Sequence, residues 1–338
     1  MILAALASIG LGLVIGPEAP LIAIGAGIGI FAARQLRKDA PAEVGTLLGS
    51  AAAFAALAFL IGSPVIAAVI LIEATGLGGP RLPVVLVPGL LASGIGSLVW
   101  LGVGSLTGLS TSNIALTALE LPDYARPDVV DFGWTILLAA GIAVVTFVIF
   151  RLAKQTQGLA ARRPFLLLPA IGLVVAGLAI AFSEATDKSV SNVLFSGQDA
   201  IGELVADSGS WSLSALALLI AFKGLAYGLS LGSPTFPALF LGAAAGLMAA
   251  QLPGFSATPA VSVAIGAAVV AVLQLPLSAA VLAVVLTAGS GPGAGPLIIV
   301  GVVVAYLITL ALTARQAPEG ESEIPAATAE GDAAATRV

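Results

Sequence analysis

The sequence predicts an all-α polytopic membrane protein, and three observations support that class. Of its 338 residues 59% are apolar and only 9% are charged, and its mean hydropathy is +1.12. Soluble proteins, by contrast, carry about 25% charged residues. Its 40 glycines and 20 prolines suit membrane helices, which tolerate both residues better than soluble helices do. Long apolar segments also recur along the body of the chain. Soluble enzymes, nucleic-acid-binding proteins and disordered proteins are therefore excluded.

The chain contains no Cys and no His. Disulfides, thiolate nucleophiles, His-based metal sites and Ser-His-Asp triads are thereby excluded. The arrangements that an intramembrane protease would need, such as paired intramembrane Asp residues, are missing as well. We therefore expect no enzymatic activity, no cofactor and no metal site. Any chemistry must depend on carboxylates, hydroxyls, backbone dipoles and helix ends.

Each long apolar segment predicts one membrane helix. Spanning the hydrocarbon core takes about 20 residues, yet several segments are only 12–16 residues long and end at Pro or Gly. Short segments of this kind are typical of helices that stop within the membrane and line a cavity. The first segment has neither a basic start nor a cleavage site, so it is not predicted to be a signal peptide. The segments are 2–15, 20–33, 48–61, 64–75, 83–103, 134–150, 165–182, 212–231, 236–252, 258–273, 276–288 and 296–314.

The distribution of basic residues predicts the orientation in the membrane. The positive-inside rule places loops rich in Lys and Arg in the cytoplasm, and the acidic connection 105–133 would then lie outside. We expect a multi-pass protein of the cell membrane with a cytoplasmic C-terminal tail. This tail, 316–338, has five acidic residues and one Arg and is predicted to be disordered. The basic residues are Arg34, Arg37, Lys38, Arg151, Lys154, Arg162, Arg163 and Arg315.

An internal repeat is the most informative feature of the sequence. Residues 20–29 match residues 237–246 with an offset of 217, and residues 55–75 match residues 267–287 with an offset of 212. Matched Pro and Gly positions in the same order argue against chance similarity among Ala, Val and Leu. Repeats of this type usually form an inverted pair with the substrate path at their interface.

The repeat predicts the domain organisation. A first membrane repeat covers 1–104, the outer connection covers 105–133, a second repeat covers 134–315, and the tail follows. The second repeat has a much longer segment before its matched elements than the first repeat has. We therefore expect the first repeat to be incomplete at its N-terminus, by roughly 80 residues if the halves are equivalent.

Glu18 is the acidic residue that stands at the head of an apolar helix, in the sequence Gly16-Pro17-Glu18-Ala19-Pro20. Helix N-termini carry partial positive charge and unpaired N–H groups. Glu18 therefore fits an ordinary helix cap and a functional site equally well. In the functional reading, its carboxylate occupies an anion site that helix N–H groups form, and an anion displaces it.

Four motifs carry a family resemblance. Gly16-Pro-Glu-Ala-Pro20 is similar to a G-[KR]-E-G-P motif, and the others are 51–75, which ends in Ile-Glu-Ala-Thr, 192–204, and 223–233 together with Thr235-Phe236-Pro237. In this order they resemble the CLC family of chloride channels and proton-coupled chloride exchangers, from residue 5 to about 315. The resemblance implies an inverted-repeat bundle of tilted, partly broken helices, a homodimer, and chloride or similar small anions as cargo. No nucleic-acid partner is expected.

The resemblance also implies roles for individual residues. Glu18 would be the gating glutamate, which swings into the pathway and is displaced by chloride. Gly16, Pro17 and Ala19 would frame an outer anion site. The backbone N–H groups of the segment that contains Ser233, Thr235 and Phe236 would face a central anion. Oriented N–H dipoles suit a desolvated anion because they bind it without trapping it.

Several family elements have no counterpart in this sequence. The family's G-S-G-I-P element would lie before Met1, and no segment after 296–314 matches the helix that brings a tyrosine hydroxyl to the central anion. Tyr306 does not match that tyrosine. Pro234 also has no N–H to offer where the family usually has one. A transport-inactive fragment or partner subunit is therefore an alternative reading.

One position bears on whether transport is passive or proton-coupled. The family's proton-coupled exchangers have a Glu-Glu pair at the end of the corresponding helix, and the second Glu relays protons. In the similar element of this sequence, Glu73 is followed by Ala74. No proton relay is therefore expected, and passive conduction is favoured over chloride/proton exchange. For Glu73, we expect a structural carboxylate that is satisfied by N–H groups or by Arg81. Lys223 could raise the local potential for anions, but snorkelling or a structural ion pair fits equally well.

Overall fold

The computed structural model describes residues 2–36, 41–75, 82–107, 116–230 and 235–315. This part of the chain is helical and contains no strand. Six of its helices are long and apolar enough to cross a membrane, which makes the chain a multi-pass membrane protein. The helices are α1 (Ile2–Gly10), α2 (Glu18–Leu36), α3 (Ala42–Ile61), α4 (Pro64–Thr75), α5 (Leu82–Thr107), α6 (Val129–Arg162), α7 (Pro164–Thr186), α8 (Ala200–Ala206), α9 (Leu213–Ser230), α10 (Thr235–Ala249), α11 (Ala257–Leu273), α12 (Pro276–Leu286) and α13 (Ala294–Ala314).

Each of the twelve predicted apolar segments corresponds to one helix, whereas the short α8 has no such segment. Helix α6 begins at Val129, earlier than its apolar segment suggests. Asp128 and Asp131 form a capping box there, in which each side chain accepts a hydrogen bond from the other residue's backbone N–H. Helix α5 reaches Thr107 as well, so both helices extend into the predicted connection 105–133, of which residues 108–115 lie outside the described residues. The predicted tail 316–338 lies outside the described residues.

In each repeat, glycines bring two consecutive helices into backbone contact, α2 with α3 and α10 with α11. A Cβ atom on Gly25 of α2 would lie 2.6 Å from the carbonyl oxygen of Ala52 in α3. In the second repeat, a Cβ atom on Gly242 of α10 would lie 2.8 Å from the carbonyl oxygen of Ala264 in α11. The two contacts are related by the offsets 217 and 212 of the sequence match. Small residues permit this close crossing, and both repeats use it at the same place.

The helix boundaries repeat as well. Helices α3 and α11 end in equivalent residues with left-handed backbone, Gly62 at φ 74° and Gln274 at φ 57°. Pro64 and Pro276 then begin α4 and α12, where a missing N–H removes no intrahelical hydrogen bond. Positive φ is uncommon for a residue other than Gly. Gln274 nevertheless adopts the same left-handed backbone conformation as Gly62, its equivalent in the first repeat.

The two repeats are inverted relative to each other. The N-termini of α2 and α10, which are equivalent helices, meet where Glu18 accepts a hydrogen bond from Phe236. The C-terminal end of α4 meets the N-terminus of its equivalent α12, where Glu73 accepts hydrogen bonds from Leu277 and Ser278. Both contacts join equivalent helices of the two repeats across their interface.

Helices α10 and α11 form the interior of the molecule, and nearly every residue of both is buried. Helix α7, by contrast, exposes large apolar side chains such as Phe165 and Leu173, as expected for a helix in contact with lipid. The segment 116–128 packs against the second repeat through hydrogen bonds at Leu119 and Tyr124. Its Pro122 carbonyl also accepts a hydrogen bond of 2.6 Å from Thr258.

Candidate functional site

The segment that leads into Glu18 is fixed by contacts with the second repeat. Val14 donates a backbone hydrogen bond of 3.0 Å to the Ser230 hydroxyl, and both residues are buried. Two residues earlier in the chain, the carbonyl of Gly12 accepts a hydrogen bond from the N–H of Phe195. Gly12 has a φ of 85°, a conformation that favours glycine. The approach to α2 is thus fixed before the helix begins.

Glu18 is the first residue of α2, and its side chain is buried, with 5% exposure. Its Oε1 accepts a hydrogen bond of 3.0 Å from the backbone N–H of Phe236, the second residue of α10. The carboxylate folds back over Gly16, since a Cβ atom at Gly16 would collide with its oxygens. A side chain from one repeat therefore occupies the helix N-terminus of the other.

The electrostatics of this position favour negative charge. The N-terminal ends of α2 and α10 meet here, and each carries a partial positive charge and N–H groups without intrahelical partners. A helix N-terminus binds small anions for the same reason. The Glu18 carboxylate and a diffusible anion therefore suit the same place, and only one of them can accept the Phe236 hydrogen bond at a time.

Helix α9 faces this region with three polar side chains at helical spacing, namely Lys223, Tyr227 and Ser230. Residues four and three apart share one face of a helix. Tyr227 is 4% exposed, lies within electrostatic range of the Glu18 carboxylate, and packs its ring edge-on against Phe150 at 6.0 Å between centroids. Ser230 holds the Val14 backbone. This face of α9 supports the segment that positions Glu18.

Lys223 is fully buried, and its ammonium group caps the loop that precedes α8. It donates hydrogen bonds to the carbonyls of Asn192, Leu194 and Phe195 at 3.0, 3.2 and 3.3 Å. It also lies 4.3 Å from the centroid of the Phe240 ring, a cation–π contact. Lys223 therefore does not snorkel to the surface, and its described partners are backbone carbonyls and an aromatic ring rather than a carboxylate.

The predicted site residues fall into three groups. Glu18, Gly16 and Phe236 come together, as described above. Pro17 is half-buried and Thr235 begins α10, whereas Ala19 is exposed. Ser233 and Pro234 lie outside the described residues. The predicted gating and anion-binding roles remain predictions.

Glu73 lies at the interface between the repeats. Its carboxylate accepts hydrogen bonds from the N–H of Leu277 at 2.8 Å and from the N–H and hydroxyl of Ser278, both at 2.6 Å. N–H groups therefore satisfy it, as expected, and Arg81 lies outside the described residues. The neighbouring Ala74 is exposed in the last turn of α4. Glu73 acts as a cap for α12 supplied by another helix.

Tyr227 and Ser230 are contacts of the site that the sequence interpretation missed. Their spacing from Lys223 was the available signal, because it places all three on one face of an apolar helix. Within the described residues, no group of three or more acidic, His or Cys side chains could hold a metal ion.

Comparisons with known proteins agree on one family and one fold. The family model described as "Voltage gated chloride channel" matches residues 1–310. A crystal structure of a slow cyanobacterial Cl⁻/H⁺ antiporter is similar with a TM-score of 0.68 and 19% identity, over 90% of this chain and 70% of that chain. A CLC-type fluoride/proton antiporter is similar with a TM-score of 0.64 and 19% identity, over 88% of this chain and 71% of that one. Among curated proteins none matches.

Proposed function

Because the chain belongs to the voltage-gated chloride channel family, we propose that it conducts chloride or similar small anions passively across the cell membrane, with Glu18 as its gate. The observation that carries this proposal is the hydrogen bond from the Phe236 N–H to the Glu18 carboxylate where two inverted helices meet. The carboxylate acts there as a tethered anion that competes with the diffusible one.

In the proposed mechanism, the gate opens when the Glu18 side chain leaves the N-terminus of α10. The N–H of Phe236 and the other N–H groups of that helix turn are then available to a desolvated anion. The anion binds to dipoles without meeting a full positive charge in direct contact, which keeps its binding weak enough for release. Return of the carboxylate expels the anion and closes the path.

Passive conduction is favoured because of what stands near the end of α4. Ala74 carries no titratable group, and the adjacent Glu73 carboxylate accepts three hydrogen bonds at the start of α12. A carboxylate held in this way is a poor proton carrier, since each transfer would break contacts that its charge stabilises. The competing candidate is proton-coupled exchange, the activity named for both similar structures.

The orientation and assembly are part of the same proposal. Arg151 and Lys154 lie in the C-terminal third of α6, and Arg315 follows the end of α13. By the positive-inside rule these regions face the cytoplasm, and the C-terminal tail lies there too. The acidic segment before Asp128 faces outward. Two copies form a homodimer in the bilayer, as the family resemblance implies.

Anion efflux from liposomes tests the proposal. The full chain is compared with Glu18→Ala and with Glu184→Gln, a control that changes an exposed carboxylate on α7. We expect chloride efflux from the wild type, faster efflux from Glu18→Ala, and wild-type efflux from the control. Equal efflux with and without Glu18 would contradict gating, and a folded, inserted chain without efflux would contradict transport.

A proton gradient separates the two modes of transport. Liposomes with equal chloride on both sides are exposed to a pH difference, and net chloride movement is recorded. Passive conduction predicts no uphill movement in the wild type. Sustained uphill chloride movement driven by the pH difference would establish exchange despite Ala74.

A further inference from the structure

A groove of two adjoining sections runs along α6. Neither Glu18 nor Glu73 lines it, although Tyr227 lines its larger section. Its larger section has a volume of about 600 Å³ and is bounded by α6, α9, α10 and α11. Its smaller section, of about 230 Å³, lies between α6, α11 and α13. Thr146 and Val272 line both sections, so the two sections adjoin at these residues.

The smaller section carries positive charge at the level of the membrane surface. Arg151 and Lys154 line it, and both are exposed on one face of α6. Arg151 follows Val129 by 22 residues, or about 33 Å along the helix at a rise of about 1.5 Å per residue. That distance is close to the ~30 Å thickness of the hydrocarbon core, so both cations lie near the cytoplasmic headgroups.

Arg151 and Lys154 are the groups of this section that can donate to a phosphate. Thr313 and Gln274 also line it, but their side chains already donate hydrogen bonds to backbone carbonyls of their own helices. Among the described residues, neither Arg151 nor Lys154 forms an ion pair with a carboxylate. A guanidinium and an ammonium one helical turn apart match a phosphate well, since the planar guanidinium can donate two parallel hydrogen bonds to it.

The larger section is apolar over almost its whole surface. Leu138, Ile142, Leu241 and Met248 are typical of its lining, and Trp134 stands at its far end. A chain from one leaflet needs about half of the ~30 Å core, and α6 covers about 26 Å between Trp134 and Arg151. The groove therefore offers a dry surface long enough for an acyl chain, beginning beside a cationic pocket.

We propose that this groove binds an anionic phospholipid of the cytoplasmic leaflet. The phosphate lies between Arg151 and Lys154, and one acyl chain extends along α6 toward Trp134. Basic pockets between helices on the cytoplasmic side bind anionic headgroups in this manner. The charge complementarity favours an anionic lipid over a neutral one, and the apolar section favours a lipid over a soluble phosphate.

Lipid retention by the purified full chain tests the headgroup contact. The delipidated protein is mixed in detergent with equal amounts of phosphatidylglycerol and phosphatidylcholine, and bound lipid is counted by native mass spectrometry. We expect retained phosphatidylglycerol in the wild type. We expect roughly 30-fold weaker retention in R151Q/K154Q, since each basic residue near an anionic headgroup contributes about fivefold. The control R162Q/R163Q removes two cations at the end of the same helix, outside the groove, and retention should be unchanged.

A second pair of variants tests the apolar section. Gly141 lines it, and a Cβ atom there meets open space, so the side chain of Gly141→Trp can enter the groove from this position and should also abolish retention. Gly177→Trp adds the same side chain at an open position on α7 and should retain lipid. Soluble glycerol phosphate should not compete. Equal retention of both lipids, equal loss in the controls, or competition by glycerol phosphate would each overturn the proposal.

Discussion

Glu18 and Phe236 lie 218 residues apart in the chain, yet the carboxylate of one accepts a hydrogen bond of 3.0 Å from the backbone N–H of the other. Both residues stand at the beginning of equivalent helices in the two repeats. The contact therefore exists only because the repeats are inverted and their helix N-termini meet. A change that moves the carboxylate should affect transport, whereas a change that loosens a helix crossing should affect stability.

Gly16→Ala should displace the Glu18 carboxylate without removing it. A Cβ atom at Gly16 collides with the carboxylate oxygens, so the side chain must leave the N–H of Phe236. Hydrogen bonds to charged groups contribute about 1.5 kcal/mol or more, so we expect chloride efflux to rise about tenfold. Liposome efflux measures this.

Two further variants decide whether the effect of Gly16→Ala passes through the carboxylate. Gly10→Ala adds a methyl group in open space and should leave efflux at the wild-type rate. In a Glu18→Ala background, Gly16→Ala should add nothing. An additive increase in the double variant would contradict the proposed link between these residues.

Gly25→Ala should destabilise the crossing of α2 and α3. Its Cβ atom would lie 2.6 Å from the Ala52 carbonyl oxygen and 3.0 Å from the Ala56 Cβ, so the helices must separate. Overpacking of this kind costs about 1–3 kcal/mol, and the unfolding temperature in detergent should fall. Gly27→Ala, two residues along the same helix, meets open space and should preserve or slightly raise that temperature.

Much of this fold could be predicted from the sequence because local patterns encode it. Apolar segments locate twelve helices, and matched Pro and Gly residues identify the repeat. The position of Glu18 at a helix start marks it as a candidate without any knowledge of tertiary structure. These features can be recognised from residues that are close together in the chain, or from the small residues that a close helix crossing requires.

The remaining contacts could not be predicted, since they depend on how helices are rotated and placed. The carboxylate of Glu73 accepts a hydrogen bond from Ser278, which is 205 residues away in the sequence. Nothing in the type of either residue identifies the other as its partner. Tyr227 comes within electrostatic range of Glu18 only because of the rotation of α9 about its axis. Helix α8 has no long apolar segment of its own, so hydropathy alone does not reveal it.

Glu73→Ala should weaken the junction between the repeats. It removes the acceptor for the N–H groups of Leu277 and Ser278 and a negative charge from the start of α12. The loss should lower the free energy of unfolding by about 1–3 kcal/mol. Denaturation in detergent measures it, and Glu120→Ala, at an exposed position outside the helices, is the matched control. An equal loss in both variants would contradict a capping role for Glu73.

Tyr124 should make stability fall at alkaline pH. Burial raises the pKa of its phenol above the ordinary value of 10.0, and the hydrogen bond that the phenol donates to Asp131 raises it further. Because the folded state holds this proton more tightly than the unfolded state, the stabilisation is complete below about pH 10 and is lost as the pH rises above that value. Unfolding temperatures recorded from pH 8 to 12 should therefore decline more steeply for the wild type than for Tyr124→Phe.

Asp131→Asn separates the roles of charge and hydrogen bonding in that alkaline decline. The amide oxygen can still accept the phenol proton, but the negative charge that opposes ionisation of Tyr124 is gone. The decline should then be intermediate between those of the wild type and Tyr124→Phe. Identical curves for the wild type and Tyr124→Phe would mean that this phenol titrates alike in the folded and unfolded states. In that case the hydrogen bond from Tyr124 to Asp131 would not stabilise the packing of the segment 116–128 against the second repeat.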